Sequence, residues 1–150
     1  MGQEYRRTAT TVSLINYHFV FCPRYRRRVL VGPVGERLKQ IIGEVAADMA
    51  CGIVAWEVMP DHCHLFLNAL PSQSPTMLMA RVKGHTSRRL RQEFPGLQRL
   101  RSLWARSYFV STAGNVSSET VKRYMSRLEA GRQLYNACLG EVRRRWDLVG

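Results

Sequence analysis

Apolar residues along the chain follow two spacings, one typical of strands and one typical of helices. Runs rich in β-branched and aromatic residues predict four strands, at 11–22, 53–59, 62–70 and 102–112. Apolar positions three and four apart predict three helices, at 32–52, 74–94 and 117–130. This order predicts an α+β fold with an antiparallel ferredoxin-like or RRM-like sheet (βαββαβ), covered by helices on one face and followed by an added C-terminal helix.

Proline, glycine, serine and aspartate residues mark the expected ends of these helices and strands. Pro33 suits the first turn of the first helix and Gly52 suits its exit. Ser74 and Pro75 open the second helix, and the pair Pro60 and Asp61 makes a tight link between the second and third strands.

The 150 residues fit a single domain with a core at about 11–130 and a basic helical tail at about 131–150. No apolar run approaches the roughly 20 residues that a membrane span needs, and the N-terminus lacks the apolar stretch of a signal peptide. The cysteines show no CxxC pairing, so we expect reduced thiols in a cytoplasmic protein; they are Cys22, Cys51, Cys63 and Cys138.

Charge narrows the choice of partners. Lys and Arg number 23 against 11 Asp and Glu, which gives a net charge of +12. This excess favours a polyanionic partner, with nucleic acid as the leading candidate and a merely basic, solvated surface as the alternative.

The stretch "VMPDHCHLFLNAL" carries two histidines one residue apart in a predicted strand. Because strand side chains alternate between faces, His62 and His64 point the same way, about 6–7 Å apart along the backbone. Two imidazoles at that spacing can converge on one metal ion, whereas Cys63 points into the apolar layer. The alternative is a pair of surface histidines on a half-buried strand.

Four stretches taken together resemble the HUH single-tyrosine transposases of small insertion sequences, the IS200-like group. They are "YHFVFCPRYRRRVL" (17–30), "EVMPDHCHLFLNA" (57–69), "RVKGHTSRRLRQEFP" (81–95) and "SLWARSYFV…GNVSSETVKRYMSRL" (102–128). The resemblance implies that His62 and His64 hold Mg²⁺ or Mn²⁺ and that Tyr124 is the nucleophile. It also implies a homodimer that acts on single-stranded DNA, often as hairpins at transposon ends.

Two features of the predicted tyrosine helix complicate that assignment. Tyr135 is a competitor, since eleven residues along a helix return to nearly the same face as Tyr124. The family usually has a Gln four residues after the tyrosine as a third metal ligand, and here that position is Leu128. The remaining candidates for the third ligand are Glu57, Asp61, Glu129 and water.

Eight basic side chains are candidates for phosphate contacts, with an ordinary solvated charge as the alternative for each. They are Arg24, Arg26, Arg27, Arg28, Lys83, Arg88, Arg89 and Arg91. Tyr25, Trp104 and Tyr108 are candidates for base stacking, although core packing is the favoured role of Trp104 and Tyr108.

Three functions compete for this set of residues. The first is a DNA strand transferase that forms a 5′-phosphotyrosine bond. The second is a non-catalytic RRM-like nucleic-acid-binding protein or an inactivated transposase, and the third is a metal-dependent hydrolase. We favour the first because the four stretches occur in the family's order.

Overall fold

The structure, a computed structural model, describes residues 3–113, which form six strands and two α-helices. The elements in chain order are β1 (Arg6–Arg7), β2 (Val12–Ser13), β3 (Ile15–Phe21), α1 (Pro33–Asp48), β4 (Gly52–Met59), β5 (His62–Ala69), α2 (Pro75–Glu93) and β6 (Phe109–Ala113). Short 3₁₀ turns lie at Arg24–Arg26 and Pro95–Leu97. The predicted third helix and the tail, with Tyr124, Tyr135 and Cys138, lie outside the described residues.

The main sheet has the strand order β4-β5-β3-β6, and every neighbouring pair is antiparallel. Strands β1 and β2 form a separate two-stranded hairpin. The main sheet confirms the α+β prediction and the βαββαβ order. It also places β3 between β5 and β6, so that residues far apart in sequence become direct neighbours.

Both helices pack on one face of the sheet, which we call the helix face. Strand β5 contributes Cys63, Leu65 and Leu67 to this layer, each with no exposed surface. The helices contribute their apolar positions, namely Leu38, Ile41, Ile42 and Val45 from α1 and Leu78, Met79, Val82 and Leu90 from α2. The alternate residues of β5 lie on the opposite face, which carries the histidines and is called the histidine face below.

The exit of α1 differs from the sequence prediction. The helix ends at Asp48, and Ala50 rather than glycine takes the left-handed conformation, with φ of 56°. The Cys51 N–H donates to the Ala46 carbonyl and the Ala50 N–H donates to the Ala47 carbonyl, which is the Schellman arrangement. Gly52, predicted as the helix exit, is instead the first residue of β4.

Two predicted strands are shorter than expected. The prediction at 11–22 divides into β2 and β3, because Val12–Ser13 pairs with Arg6–Arg7 instead of joining the main sheet. The prediction at 102–112 is regular only from Phe109. The residues before Phe109 are held by an isolated bridge between Pro23 and Trp104 and by hydrogen bonds from the Lys83 side chain of α2 to the Ala105 and Ser107 carbonyls.

The described cysteines Cys22, Cys51 and Cys63 are buried free thiols, as predicted. Neither α1 nor α2, the helices within residues 3–113, is both long and apolar enough to cross a membrane.

Candidate active site

The predicted histidine pair lies on the histidine face of β5, near the start of the strand. The imidazole centroids of His62 and His64 are 5.2 Å apart, and the ring planes are nearly perpendicular, at 85°. Both side chains are buried, with 3% and 4% of their surface exposed. Cys63 between them faces the core, so the alternation read from the sequence is confirmed and the surface-histidine alternative is excluded.

A third imidazole, which the sequence analysis missed, completes this cluster. His18 of β3 places Nε2 3.1 Å from Nδ1 of His64. Its ring also stacks on Phe66, with centroids 4.1 Å apart and planes within 8° of parallel. His18 was hidden because its neighbours in "YHFVF" are apolar, and only the pairing of β3 with β5 brings it to the pair.

Asp61, in the tight link between β4 and β5, orients the first histidine. The Nδ1 atom of His62 lies 2.7 Å from Oδ1 of Asp61, and Nη2 of Arg26 lies 2.8 Å from Oδ2 of the same carboxylate. A carboxylate only accepts hydrogen bonds, so the His62 Nδ1–H is the donor and Nε2 carries the lone pair. A carboxylate behind a histidine is the usual support of a metal-binding imidazole.

Burial keeps all three imidazoles neutral at physiological pH. Desolvation lowers the pKa of His18 from 6.5 to about 4. Desolvation, reinforced by the neighbouring histidines, lowers the pKa of His64 to about 3. Desolvation also lowers the pKa of His62, although the Asp61 carboxylate opposes that shift. Neutral imidazole is the form that binds a metal ion, so the protonation states suit the predicted role of the pair.

The acidic candidates for a third ligand are placed differently. Both carboxylate oxygens of Asp61 are committed, one to His62 and one to Arg26. Glu57 lies directly across from His64 in the β4–β5 register, on the same face. Within residues 3–113, however, no three His, Cys, Asp or Glu side chains converge closely enough to hold a metal ion. Leu128 and Glu129 lie outside the described residues.

The turn after β3 carries half of the predicted phosphate contacts. Arg24 is half-buried, and Arg27 and Arg28 are exposed. Arg26 instead turns toward Asp61, with its side chain 32% exposed and its Nε buried without a hydrogen-bond partner. Arg26 therefore supports the histidine pair, whereas Arg27 and Arg28 are exposed at the surface.

The α2 candidates lie on the other side of the sheet, and three of the four are engaged with protein groups. Lys83 places Nζ 2.7 Å from the Ala105 carbonyl and 3.1 Å from the Ser107 carbonyl, and burial lowers its pKa to about 8. Arg89 pairs with a glutamate and Arg91 donates to a carbonyl, their partners being Glu44 and Leu100. Arg88 is exposed.

The three aromatic candidates for base stacking fall into two groups, with Trp104 and Tyr108 packed against the core, as the sequence favoured, and Tyr25 exposed. Trp104 is only 5% exposed and donates from Nε1 to Oγ1 of Thr86 at 2.9 Å, so it packs in the core. Tyr108 packs partly against the same core, with Lys83 beside its ring. Tyr25, in contrast, is 68% exposed.

Known proteins resemble this chain over most of its length. Residues 11–127 match the family described as "Transposase IS200 like". The chain is 33% identical over 125 residues to the ISDra2 transposase TnpA of Deinococcus radiodurans, an alignment that covers 81% of this chain and 89% of that protein. It is 30% identical over 140 residues to the transposase for insertion sequence element IS200 of Salmonella typhimurium, with 89% and 91% covered.

Two solved structures share the fold. A crystal structure from Deinococcus radiodurans, provisionally assigned as a transposase, superposes with a TM-score of 0.69 at 31% identity and covers 81% of this chain and 96% of that one. A REP-associated tyrosine transposase bound to a REP hairpin superposes with a TM-score of 0.56 and covers 86% and 74%. At 20% identity, this second likeness supports the fold alone.

Proposed function

Because the chain belongs to the IS200-like transposase family, we propose that it cleaves and rejoins single-stranded DNA at insertion-sequence ends through a covalent bond to tyrosine. The observation that carries this proposal is the buried pair of neutral imidazoles on the histidine face, braced by Asp61 on one side and His18 on the other. An RRM-like sheet that only binds nucleic acid has no need of such a pair.

His62 and His64 would hold the metal ion, Mg²⁺ or Mn²⁺. The donor set supports this assignment, since both rings are neutral and the Nδ1 atom of each has a partner that fixes its orientation. When bound, a divalent ion supplies charge neutralisation on the scissile phosphate. The remaining ligands would come from Glu57, from residues outside 3–113 or from water, because both carboxylate oxygens of Asp61 are engaged by His62 and Arg26.

Tyr124 is the proposed nucleophile. Its hydroxyl oxygen would attack the scissile phosphorus and lose its proton, and the bond from phosphorus to the 3′ oxygen would break as that oxygen takes up a proton. The product is a 5′-phosphotyrosine bond and a free 3′-OH. A second 3′-OH would then attack the phosphotyrosine and release the tyrosine, so the phosphoester bond is conserved and no ATP is consumed.

The proposed substrate is a single strand that folds into hairpins at the transposon ends. The net charge of +12 and the exposed arginines after β3 support a polyanionic partner. We also propose that the protein acts as a homodimer.

The test mixes the full-length protein with single-stranded DNA from both flanks of its own gene, in Mn²⁺, Mg²⁺ or EDTA. A denaturing gel and mass spectrometry would detect a covalent adduct. We expect a metal-dependent adduct that disappears in Tyr124→Phe and His64→Ala and persists in Tyr135→Phe. His85→Ala is the matched histidine control, because His85 lies on α2, on the other side of the sheet.

Other outcomes would contradict the proposal in distinct ways. Tight binding without an adduct on either flank would indicate an inactivated transposase or a non-catalytic binding protein, and Leu128 at the usual Gln position would be the first explanation to test, by Leu128→Gln. An adduct lost only in Tyr135→Phe would move the nucleophile to Tyr135. Cut DNA with free ends and no adduct would indicate a hydrolase.

A further inference from the structure

Tyr25 presents an aromatic ring to solvent on the turn after β3, one residue before Arg26, the partner of Asp61. At 68% exposure, it is the most exposed large hydrophobic side chain in the described part of the chain. Aromatic rings of this size usually bury most of their surface, because leaving them in water forfeits a large favourable transfer free energy. An exposed tyrosine on an ordered turn therefore needs a reason.

The backbone holds this ring outward at a conformational cost. Tyr25 has φ of 61° and Arg26 has φ of 52°, so two consecutive residues other than glycine take the left-handed conformation. Such residues persist where surrounding contacts determine them, and they cluster at functional sites. The contacts here are hydrogen bonds from the Arg24 N–H to the Leu103 carbonyl and from the Arg26 N–H to the Pro23 carbonyl, each 2.9 Å long.

The same turn is tied to the histidine pair. Arg26 reaches Asp61 at 2.8 Å, and Asp61 reaches His62 at 2.7 Å. Two hydrogen bonds thus connect the residue after Tyr25 to the first predicted metal ligand. If a DNA phosphate lies at the histidines, we expect a nucleotide next to that phosphate to lie near this turn.

The charges around the ring suit a nucleotide. The guanidinium carbons of Arg24 and Arg27 lie over the Tyr25 ring, 5.2 and 5.4 Å from its centroid, so at least one of them would move aside for a stacking base. Arg28 is exposed one residue after Arg27. An aromatic face combined with neighbouring cations is the chemistry by which proteins hold unpaired bases, with the ring against the base and the cations on the backbone phosphates.

We infer that Tyr25 stacks on one unpaired base adjacent to the scissile phosphate, while Arg24 and Arg27 contact the phosphates beside it. The inference rests on the proposed function for the identity of the strand. Stacking tolerates any base, so this contact would fix the position of the strand without reading its sequence. The ring would serve as a positioning element that places the phosphate at the histidine pair.

The test measures binding of the full-length protein to fluorescent single strands from its own flanks, in EDTA so that no cleavage intervenes. One abasic site is moved along the strand, one position at a time. The variants are Tyr25→Phe, which keeps the ring, and Tyr25→Leu, which removes it. Tyr5→Leu is the matched control, because Tyr5 is also exposed, at 52%, but belongs to the N-terminal segment before β1.

We expect the abasic site at one position to weaken binding by the wild-type protein roughly 5- to 150-fold, the range for removal of one stacked base. Tyr25→Leu should bind the intact strand with a comparable loss of affinity and should be insensitive to the abasic site at that position. Tyr25→Phe and Tyr5→Leu should follow the wild-type profile.

Two results would overturn the inference. One is wild-type affinity in Tyr25→Leu. The other is a Tyr25→Leu variant that binds more weakly but loses as much further affinity as the wild-type protein does from an abasic site at every position. The ring would then have a structural role. If Tyr25→Leu fails to fold, the wild-type protein is crosslinked to strands that carry 5-iodouracil at one position at a time. A crosslink that maps to Tyr25 would support the inference, and crosslinks that map only to other residues would overturn it. These readouts need neither metal nor Tyr124, so they are judged separately from adduct formation.

Discussion

Lowering the pH from 8 to 5 should destabilise the metal-free protein, because two buried imidazoles resist protonation in the folded state. His18 and His64 have pKa values lowered from 6.5 to about 4 and about 3, chiefly by desolvation. Below pH 6.5 the unfolded chain binds protons that the folded chain does not bind, so the free energy of unfolding falls as the pH falls. The contribution of these two histidines to the free energy of unfolding is therefore fully present above about pH 6.5 and is lost as the pH falls below it.

The size of the effect follows from these values. At pH 5, an unfolded imidazole with a pKa of 6.5 is almost fully protonated, and its proton binding favours the unfolded state by about 2 kcal/mol. In the folded protein both histidines remain mostly neutral at pH 5. Together they should remove about 4 kcal/mol of stability, a large share of the roughly 5–15 kcal/mol typical of a domain. The lowered pKa of His62 acts in the same direction.

Urea unfolding in EDTA at pH 8, 7, 6 and 5 measures this destabilisation directly. The variant His18→Phe keeps a ring that can stack on Phe66 but removes one titrating group, so its destabilisation over the same range should be smaller by about 2 kcal/mol. A wild-type change below about 1 kcal/mol would refute the reasoning. So would an equal change in His18→Phe, since the destabilisation would then come from other groups.

Three further predictions concern the support of the site and the surface, and a fourth concerns the end of α1. Asp61→Asn should weaken Mn²⁺ binding, measured by calorimetry, by roughly 10- to 100-fold while leaving the fold intact, and unchanged affinity would contradict the orienting role. Lys83→Met should lower the free energy of unfolding by about 1–3 kcal/mol, because the half-buried carbonyls of Ala105 and Ser107 lose their donor, and it should leave the salt dependence of DNA binding unchanged. The double variant Arg27→Ala, Arg28→Ala should change the salt dependence of DNA binding but not the stability. The slope of log affinity against log salt should fall by about 0.7 for each phosphate that the protein no longer neutralises, and the urea midpoint should stay the same. Ala50→Gly should leave the free energy of unfolding unchanged or raise it by up to about 1 kcal/mol, because glycine takes a left-handed φ without steric cost. A clear decrease in this free energy, measured by urea denaturation, would contradict the assumption that the left-handed φ of Ala50 is costly.

The pattern of apolar residues determined the fold class of this protein. Strand and helix spacings are local properties, so the order βαββαβ could be predicted from them without a structure. Alternation within β5 likewise placed His62 and His64 on one face and Cys63 on the other, because a strand reverses its side chains at every residue. Residues beyond 113 remain predictions, including Tyr124 as the nucleophile.

Element boundaries and partners were decided by tertiary contacts. Gly52 looked like a helix exit, but the helix closes at Ala50 because carbonyls of α1 accept the N–H groups that follow. The strand predicted at 102–112 begins only at Phe109, since the preceding residues bond to Pro23 and Lys83 instead of to β3. Local propensity does not record such competing partners.

The supports of the site also came only from the tertiary structure. His18 reaches His64 because β3 and β5 are paired across 46 residues of sequence, and Arg26 reaches Asp61 across 35. Sequence assigned Arg26 and Lys83 to phosphate because both are basic, and it could not show that one faces a carboxylate and the other three carbonyls. Residue type determines what a side chain can bind, whereas chain topology determines which group lies within hydrogen-bonding distance of it.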